Sequence, residues 1–407
     1  MKPAKHQFSV LKQICDHIPP YLVTKLANDH GVSAKSRSYS PWSHIVSLVY
    51  AQLSHALSLN DICDSQRNHS GALQSIRGAS APSRNGLSHA NKVRNPQMAE
   101  DLFWKVLKQL MNDHPKFVHD RKYSKLPRRF KKAINAIDSS TISLIAKCMG
   151  WAKHRRRKAA AKMHMRLDLQ TFLPCFAIIR DAGTHDSTEA YELCADIKAG
   201  EIVVADKAYV DFKHLCKLDK REVFWVTRSK DNMAYETVGQ HMAPKGNIIR
   251  DEVISLTGDK TSEHYPQNLR LVEAKVDIDG KEKVMIFITN NFDWASSSIC
   301  DLYKARWGIE VFFKEIKQSL QLTDFLGNNE NAVLWQVWIS LLTYILVRFV
   351  KFSSGWDRSF ARLFTLIRGT LWDRLDLESI IKCCGTAPGK NKIRGAPDKA
   401  FQPIFDL

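Results

Sequence analysis

Two short apolar runs, each closed by an aspartate, constrain the fold more than anything else in this sequence. They are Ala133–Asp138 (AINAID) and Glu201–Asp206 (EIVVAD). Both are too short for helices and lack the polar alternation of a half-exposed strand, so they predict strands buried in a sheet. The flanking texture agrees. Met163–Gln170 and Phe172–Arg180 (FLPCFAIIR in the second) predict a hairpin, and Val223–Thr227 (VFWVT) a further strand. Glu189–Ala199 and Tyr209–Leu218 predict helices between strands, hence a mixed sheet with helical crossovers, an α/β domain. Residues 230–283 alternate polar and β-prone residues, which predicts inserted strands that end with Val284–Thr289 (VMIFIT). Residues 294–370 read as mostly helical.

In open α/β sheets ligands gather beyond the carboxyl ends of strands. Asp138 and Asp206, expected at two buried strand ends, are therefore expected to converge. Converging carboxylates repel unless cations or protons neutralise them. Oxygen-only ligands of this kind suit Mg²⁺ or Mn²⁺. Taken alone, the two read more readily as ordinary strand-end acids in turns.

A third acid changes that balance. Ile299–Leu322 (ICDLYKARWGIEVFFKEIKQSLQL) has a helical period, with an apolar stripe of Ile299, Leu302, Ile309, Phe312, Phe313, Ile316 and Leu320. Asp293 is placed to cap its start. Tyr303, Arg306, Glu310 and Lys317 stand at i, i+3, i+7 and i+14, within about 60° of one another at about 100° per residue. They predict a polar file beside the buried stripe, with Glu310 as a third carboxylate at the sheet edge. Arg306 and Lys317 flank it with charge for phosphates rather than for a surface ion pair, and Tyr303 adds a phenolic donor. A surface helix laced by i,i+4 pairs accounts for Lys314 and Glu315, but not for an acid among cations beside the apolar stripe.

The spacing Tyr-x2-Arg-x3-Glu-x6-Lys in YKARWGIEVFFKEIKQ resembles the signature of a large family of bacterial insertion-sequence transposases with an Asp-Asp-Glu triad. AIDSSTISL is similar to that family's first aspartate segment and VVADKAYVDF to its second; THDSTEAYEL, FWVTRSKDN and FITNNF also resemble family segments. The resemblance covers roughly residues 130–350, without departure at the triad. It implies an RNase H-like core with Asp138 on the first strand, Asp206 after the fourth and Glu310 on a later helix, the inserted strands separating the second and third acids. It implies that these acids are the catalytic residues and hold two Mg²⁺ ions, with Mn²⁺ able to substitute. It implies cutting at transposon ends and joining to target DNA, hence double-stranded DNA as partner and a homodimer in the synaptic complex.

Charge agrees with such a partner. The 407 residues carry 60 Lys and Arg against 42 Asp and Glu, a net charge of +18. That excess adds nothing to a fold but attracts a polyanion, and each neutralised phosphate releases counterions. The N-terminus (MKPAKHQFSV) lacks the apolar run of a signal peptide. Val333–Val350 is long and apolar, but Gln336, Ser340, Thr343 and Arg348 interrupt it, which predicts a buried core helix and no membrane partner. The nine cysteines are scattered without Cys-x-x-Cys pairs, which predicts reduced thiols and a cytoplasmic protein.

The expected organisation is a helical N-terminal DNA-binding domain over residues 1–120, a catalytic domain over 121–350 with its β-rich insertion at about 230–283, and a C-terminal helical region over 351–407. Within the first, His44–Leu59 predicts a helix capped by Ser43, Pro96–Leu110 a second, and Ser80–Asn91 a loop. The basic connector Arg121–Lys132 holds Arg128 and Arg129, candidate phosphate contacts, as is the run His154–Lys158. Lys162 and His164, at the start of a core strand, can approach the site. Arg228 and Lys230 follow a strand end and are candidates for DNA contact. His185 and Asp186 are expected to begin a helix, and Trp307 to pack. Two rival readings stand beside the transposase: a catalytically inactive DNA-binding relative, and a metal-dependent nuclease without strand transfer.

Overall fold

The computed structural model describes residues 2–32, 39–118, 130–144, 153–155, 158–181, 186–278, 281–320 and 326–383. It opens with helices α1 (Val10–Cys15), α2 (Pro20–Asp29), α3 (Pro41–Ser54), α4 (Leu59–Asn68), α5 (Ser70–Gln74), α6 (Arg84–Val93), α7 (Gln97–Asp113) and α8 (Pro115–Val118). Two expectations need correction here. α3 starts at Pro41, and Ser40 rather than Ser43 caps it, its hydroxyl accepting the Ser43 N–H at 3.0 Å. Proline at the first helical position has a preset φ and no N–H to satisfy, which moves the start back. Ser80–Asn91, expected as a loop, contains most of α6; the Ser83 hydroxyl caps it by accepting the Gly86 N–H at 3.0 Å. Its Asn, Gly and Ser content argues against a helix, but the apolar face of Leu87 and Ala90 is buried, and packing overrides propensity.

The core follows as β1 (Ile134–Leu144), β2 (Lys153–Arg155), β3 (Lys158–Asp168), β4 (Leu173–Asp181), α9 (Asp186–Leu193), β5 (Ile202–Ala205), α10 (Phe212–Lys220) and β6 (Phe224–Arg228). β4, β3 and β1 are antiparallel neighbours, β1 is parallel to β5, and β5 is parallel to β6. The order β4-β3-β1-β5-β6, three antiparallel strands and then two parallel ones, is that of an RNase H-like core. β2 is a short partner along the same edge of β3 as β4.

The expected insertion is β7 (Tyr235–Gln240), β8 (Ile248–Leu256), α11 (Asp259–His264), β9 (Leu269–Ile278) and β10 (Lys281–Thr289). It is no separate lobe: β10 pairs antiparallel with β6, and β9, β8 and β7 continue the same sheet outward. A buried ion pair locks it. The Arg270 guanidinium (β9) donates to both Asp251 carboxylate oxygens (β8) at 2.9 and 2.7 Å, and both side chains are 0% exposed.

After the sheet come α12 (Ser296–Ala305), α13 (Trp307–Ser319), α14 (Glu330–Ser353), α15 (Phe360–Arg368) and α16 (Leu377–Cys383). The single helix expected over 299–322 is two, meeting at Arg306. There the N–H groups of Arg306 and Ile309 bond three residues back, at 3.1 and 3.0 Å. Asp293 does not cap α12; the cap position is Ala295. Gly308 sits at the junction, where an added Cβ would stand 3.1 Å from Leu169 and 3.5 Å from Phe172, so glycine lets α13 close onto the β3–β4 turn. α14 is the expected core helix. Its interrupting polar groups find partners inside: Gln336 accepts from the Leu326 N–H, Ser340 and Thr343 donate to carbonyls one turn back, and Arg348 Nη2 donates to the Thr171 carbonyl. The cysteines among the described residues are free thiols.

Candidate active site

β1 pairs with β5 only from Ile134 to Ile137, and Ile137 stands opposite Ala205, the last residue of β5. Asp138 and Asp206 are the next residues on each strand, side by side where the parallel pair opens. One detail differs from expectation. Asp138 lies inside a strand, not at its end, because β1 keeps its antiparallel partner β3 as far as Leu144 after losing β5. The opening on one side only gives the carboxylate its access.

α12 and α13 bring the remaining groups. The Tyr303 hydroxyl donates to Asp206 Oδ1 at 3.2 Å, its ring packed 4.9 Å from Phe287. Arg306 is 5% exposed and spans two acids: Nη1 donates to Asp138 Oδ2 at 3.1 Å and Nη2 to Glu310 Oε1 at 2.7 Å. Glu310, on the first turn of α13, is 53% exposed. The three acids are thus gathered on three elements around one guanidinium and one phenol. The sequence expectation assigned Arg306 to phosphate; here both of its amino groups are engaged by the acids, inside the site.

Burial raises the Asp138 carboxyl to about 6. The Arg306 charge and the Ser139 N–H, which donates to Oδ1 at 2.8 Å, oppose that rise; Glu310 and Asp206 add to it. Burial likewise pushes the Tyr303 phenol up to about 12, so it remains a donor.

A second layer sits behind Asp138; the sequence marked Lys162 and His164 as able to approach the site, but not Ser139 or the joining role of Asp186. The Ser139 hydroxyl donates to Asp186 Oδ1 at 3.0 Å, and Lys162 Nζ meets the same oxygen at 2.7 Å. His164, mid-strand and fully buried, places Nδ1 3.4 Å from Asp186 Oδ1 and 3.3 Å from the Tyr209 hydroxyl; burial holds its ring neutral down to about 4. Asp186 begins α9 as expected, but it also ties β1, β3 and α9 together. The available signal was the adjacency of Ser139 to Asp138; the partner across the sheet is invisible in one sequence.

The other candidates are scattered. Lys162 is spoken for by Asp186. Lys230 Nζ donates to the Val210 carbonyl at 2.8 Å, and Arg228 is half-buried at the end of β6, its charge felt at Tyr303. Lys317 is exposed on the last turn of α13, with no ion pair to a described residue, and loss of hydration lowers its pKa. Trp307 is half-buried. Arg128, Arg129 and His185 lie outside the described residues.

As the side chains stand, no three His, Cys, Asp or Glu among the described residues are grouped closely enough to hold a metal ion. The donor set nevertheless fits a hard divalent cation. It is all carboxylate oxygen, and two of the three acids already converge on a positive charge, the Arg306 head.

A family model described as a transposase DDE domain matches residues 129–346, more than half of the chain. The chain belongs to this family of transposases. Asp138, Asp206 and Glu310 all fall within the matched span of the DDE transposase domain. A domain of unknown function matches residues 6–76. The chain is 29% identical over 274 residues to the protein y4zB of Sinorhizobium fredii, named as a transposase, covering 66% of this chain and 75% of that one. It is 27% identical over 225 residues to the protein named as the transposase of insertion sequence element IS5377 of Geobacillus stearothermophilus. It is 24% identical over 216 residues to its counterpart for IS4SA of Synechocystis. Each of these two matches spans 58% of the relative's length. Among solved structures, the piggyBac transposase synaptic complex with hairpin DNA aligns with a TM-score of 0.44 and 12% identity, covering 91% of this chain and 78% of that one.

Proposed function

We propose that this chain is a cut-and-paste DNA transposase. It binds the terminal inverted repeats of its element, cuts phosphodiesters at the ends and joins the freed 3′-hydroxyl to target DNA, as a homodimer in the synaptic complex, in the cytoplasm. The observation that carries the reading is the gathering of Asp138, Asp206 and Glu310 around Arg306 and Tyr303 at the open end of the β1–β5 pair, inside the matched transposase domain.

Asp138, Asp206 and Glu310 would hold two divalent ions, Mg²⁺ or Mn²⁺. Such ions, when bound, activate the attacking water or 3′-hydroxyl and neutralise charge on the attacking and leaving oxygens. The chain's own groups prepare that chemistry. The Ser139 N–H fixes the orientation of Asp138, and the Tyr303 hydroxyl that of Asp206. Arg306 shields the acids from one another and offers a guanidinium that fits a phosphate as well as it fits a carboxylate. Arg228 at the end of β6, Lys230 just beyond it and Lys317 on the last turn of α13 are candidate DNA contacts; Lys162, paired to Asp186, serves Asp138 at one remove. Arg128 and Arg129 belong to the basic connector of the proposed 121–350 catalytic domain, between the 1–120 DNA-binding domain and the 351–407 region.

A strand-transfer assay with end duplex, target DNA and Mg²⁺ tests the reading. The full chain is expected to cut and join, and Glu310→Ala to do neither while still binding the end duplex. Equal joining by both proteins would sink the assignment of Glu310. Cutting without joining would make the chain a nuclease.

A further inference from the structure

We propose that α6 is the element that reads base pairs of the transposon end, lying in the major groove of double-stranded DNA. The inference rests on the end-binding transposase reading and names the part of the chain that does the reading. α6 exposes Arg84, Asn85, Ser88, His89 and Lys92. At about 100° per residue these positions share a face about 140° wide. None of the five side chains has a hydrogen-bond or ion-pair partner among the described residues. They are the donor-rich types that recognise base edges: Arg and Lys for guanine, Asn for adenine, Ser for either.

Charge points the same way. Between Asp64 and Glu100 the chain carries no acid. A merely solvated helix mixes signs, as α7 does with Asp101 and Asp113 beside Lys105 and Lys108. The residue types are also poor choices for a surface helix, since Asn85, Gly86, Ser88 and His89 all have weaker helix propensity than the Glu, Lys or Ala that would serve stability.

The helix is nonetheless held firmly from behind. Leu87, Ala90 and Asn91 are buried, and α6 packs on α4 and α14. At its C-terminal end Asn331 donates to the Lys92 carbonyl at 2.9 Å, and the Trp335 indole to the Arg94 carbonyl at 3.1 Å. His44 Nε2 meets Asn91 Oδ1 at 2.7 Å. A rigid helix with a free, acid-less polar face loses little ordering entropy on entering a groove of about 12 Å width.

The test measures binding by the full chain, without divalent ions so that nothing is cut. One duplex carries the inverted repeat flanking the coding sequence; the other has the same composition in shuffled order. Wild type is expected to prefer the first. Arg84→Ala/His89→Ala is expected to cut that preference at least about tenfold, while binding to the shuffled duplex falls by no more than about threefold. Asn85→Ala is expected to lower the preference alone, with melting temperature and circular dichroism unaltered. Lys105→Ala/Lys108→Ala on α7 is expected to leave the preference intact. An unchanged preference in the α6 variants, or an equal loss on both duplexes, overturns the assignment. A wild-type chain without any preference overturns the end-binding reading itself, and that is seen before any variant is made.

Discussion

Arg306 is the residue on which the site turns. Its guanidinium stands between Asp138 and Glu310, where a cation is needed whether or not a metal is bound. In metal-free protein, Arg306→Ala leaves a buried carboxylate with a diminished counter-charge. The expected cost is about 1–3 kcal/mol, lower than for a fully buried pair because Glu310 is half exposed. Mg²⁺ should then restore more stability to the variant than it adds to wild type, and thermal melting with and without Mg²⁺ measures this; equal Mg²⁺ shifts would refute it. Asp138 supplies a pH test. With its carboxyl raised to about 6, protons compete with cations there below that value, so apparent Mg²⁺ affinity should fall as pH falls through about 6. Titrations of Mg²⁺ binding at pH 5 and 8 that agree would contradict it. Much of this was legible in the sequence. The aspartates ended apolar runs, and the helical wheel put Tyr303, Arg306 and Glu310 on one face. A wheel gives faces and not partners, so neither the engagement of Arg306 by the acids nor the Ser139–Asp186 layer could be read.

At the scale of elements, the inserted strands are tied to the helix that delivers Tyr303. Asp251 on β8 accepts from Arg270 on β9 and from the Ser296 hydroxyl at the first residue of α12, at 2.5 Å from the latter. Arg270 also donates to the carbonyl of Trp294 at 2.6 Å, just ahead of α12. The buried network therefore fixes where α12 leaves the sheet. Arg270→Met strands the Asp251 charge in the interior and is expected to cost about 3–5 kcal/mol in urea unfolding. Adding Asp251→Leu should recover part of that loss, because the uncompensated charge is gone; a double variant less stable than the single would refute this account. Alternation over 230–283 disclosed the strands, but not their docking on β6, since register across a sheet depends on residues far apart in sequence. α6 was hidden for the opposite reason: its composition says loop, and only its buried anchors hold it helical.

Across the whole molecule, one apolar cluster runs from Val10 in α1 to Ile381 in α16, with α14 passing through it against α3, α6 and α7. The sequence marked α14 as a core helix by its polar interruptions, but its neighbours are long-range and unreadable. His44 reports on this shared core. It lies fully buried on α3, its ring 4.6 Å from Trp335 of α14, and burial followed by the Arg94 charge lowers its pKa from 6.5 to about 3. The unfolded chain takes up a proton near pH 6.5 that the fold refuses until about pH 3. Stability is therefore lost as pH falls through that window, by up to about 1.4 kcal/mol per pH unit for this one group. His164 and His214, each lowered to about 4 by burial, act in the same direction. Asp138 acts in the other, its penalty easing below about 6. The absolute stability mixes all of these, so the slope is the better observable. Urea midpoints of wild type and His44→Gln at pH 7, 6 and 5 should converge on acidification, the variant losing less per unit although it starts lower. Parallel lines for the two proteins would mean that His44 takes its proton in the folded state, and that the core joining the N-terminal helices to α14 is open to water.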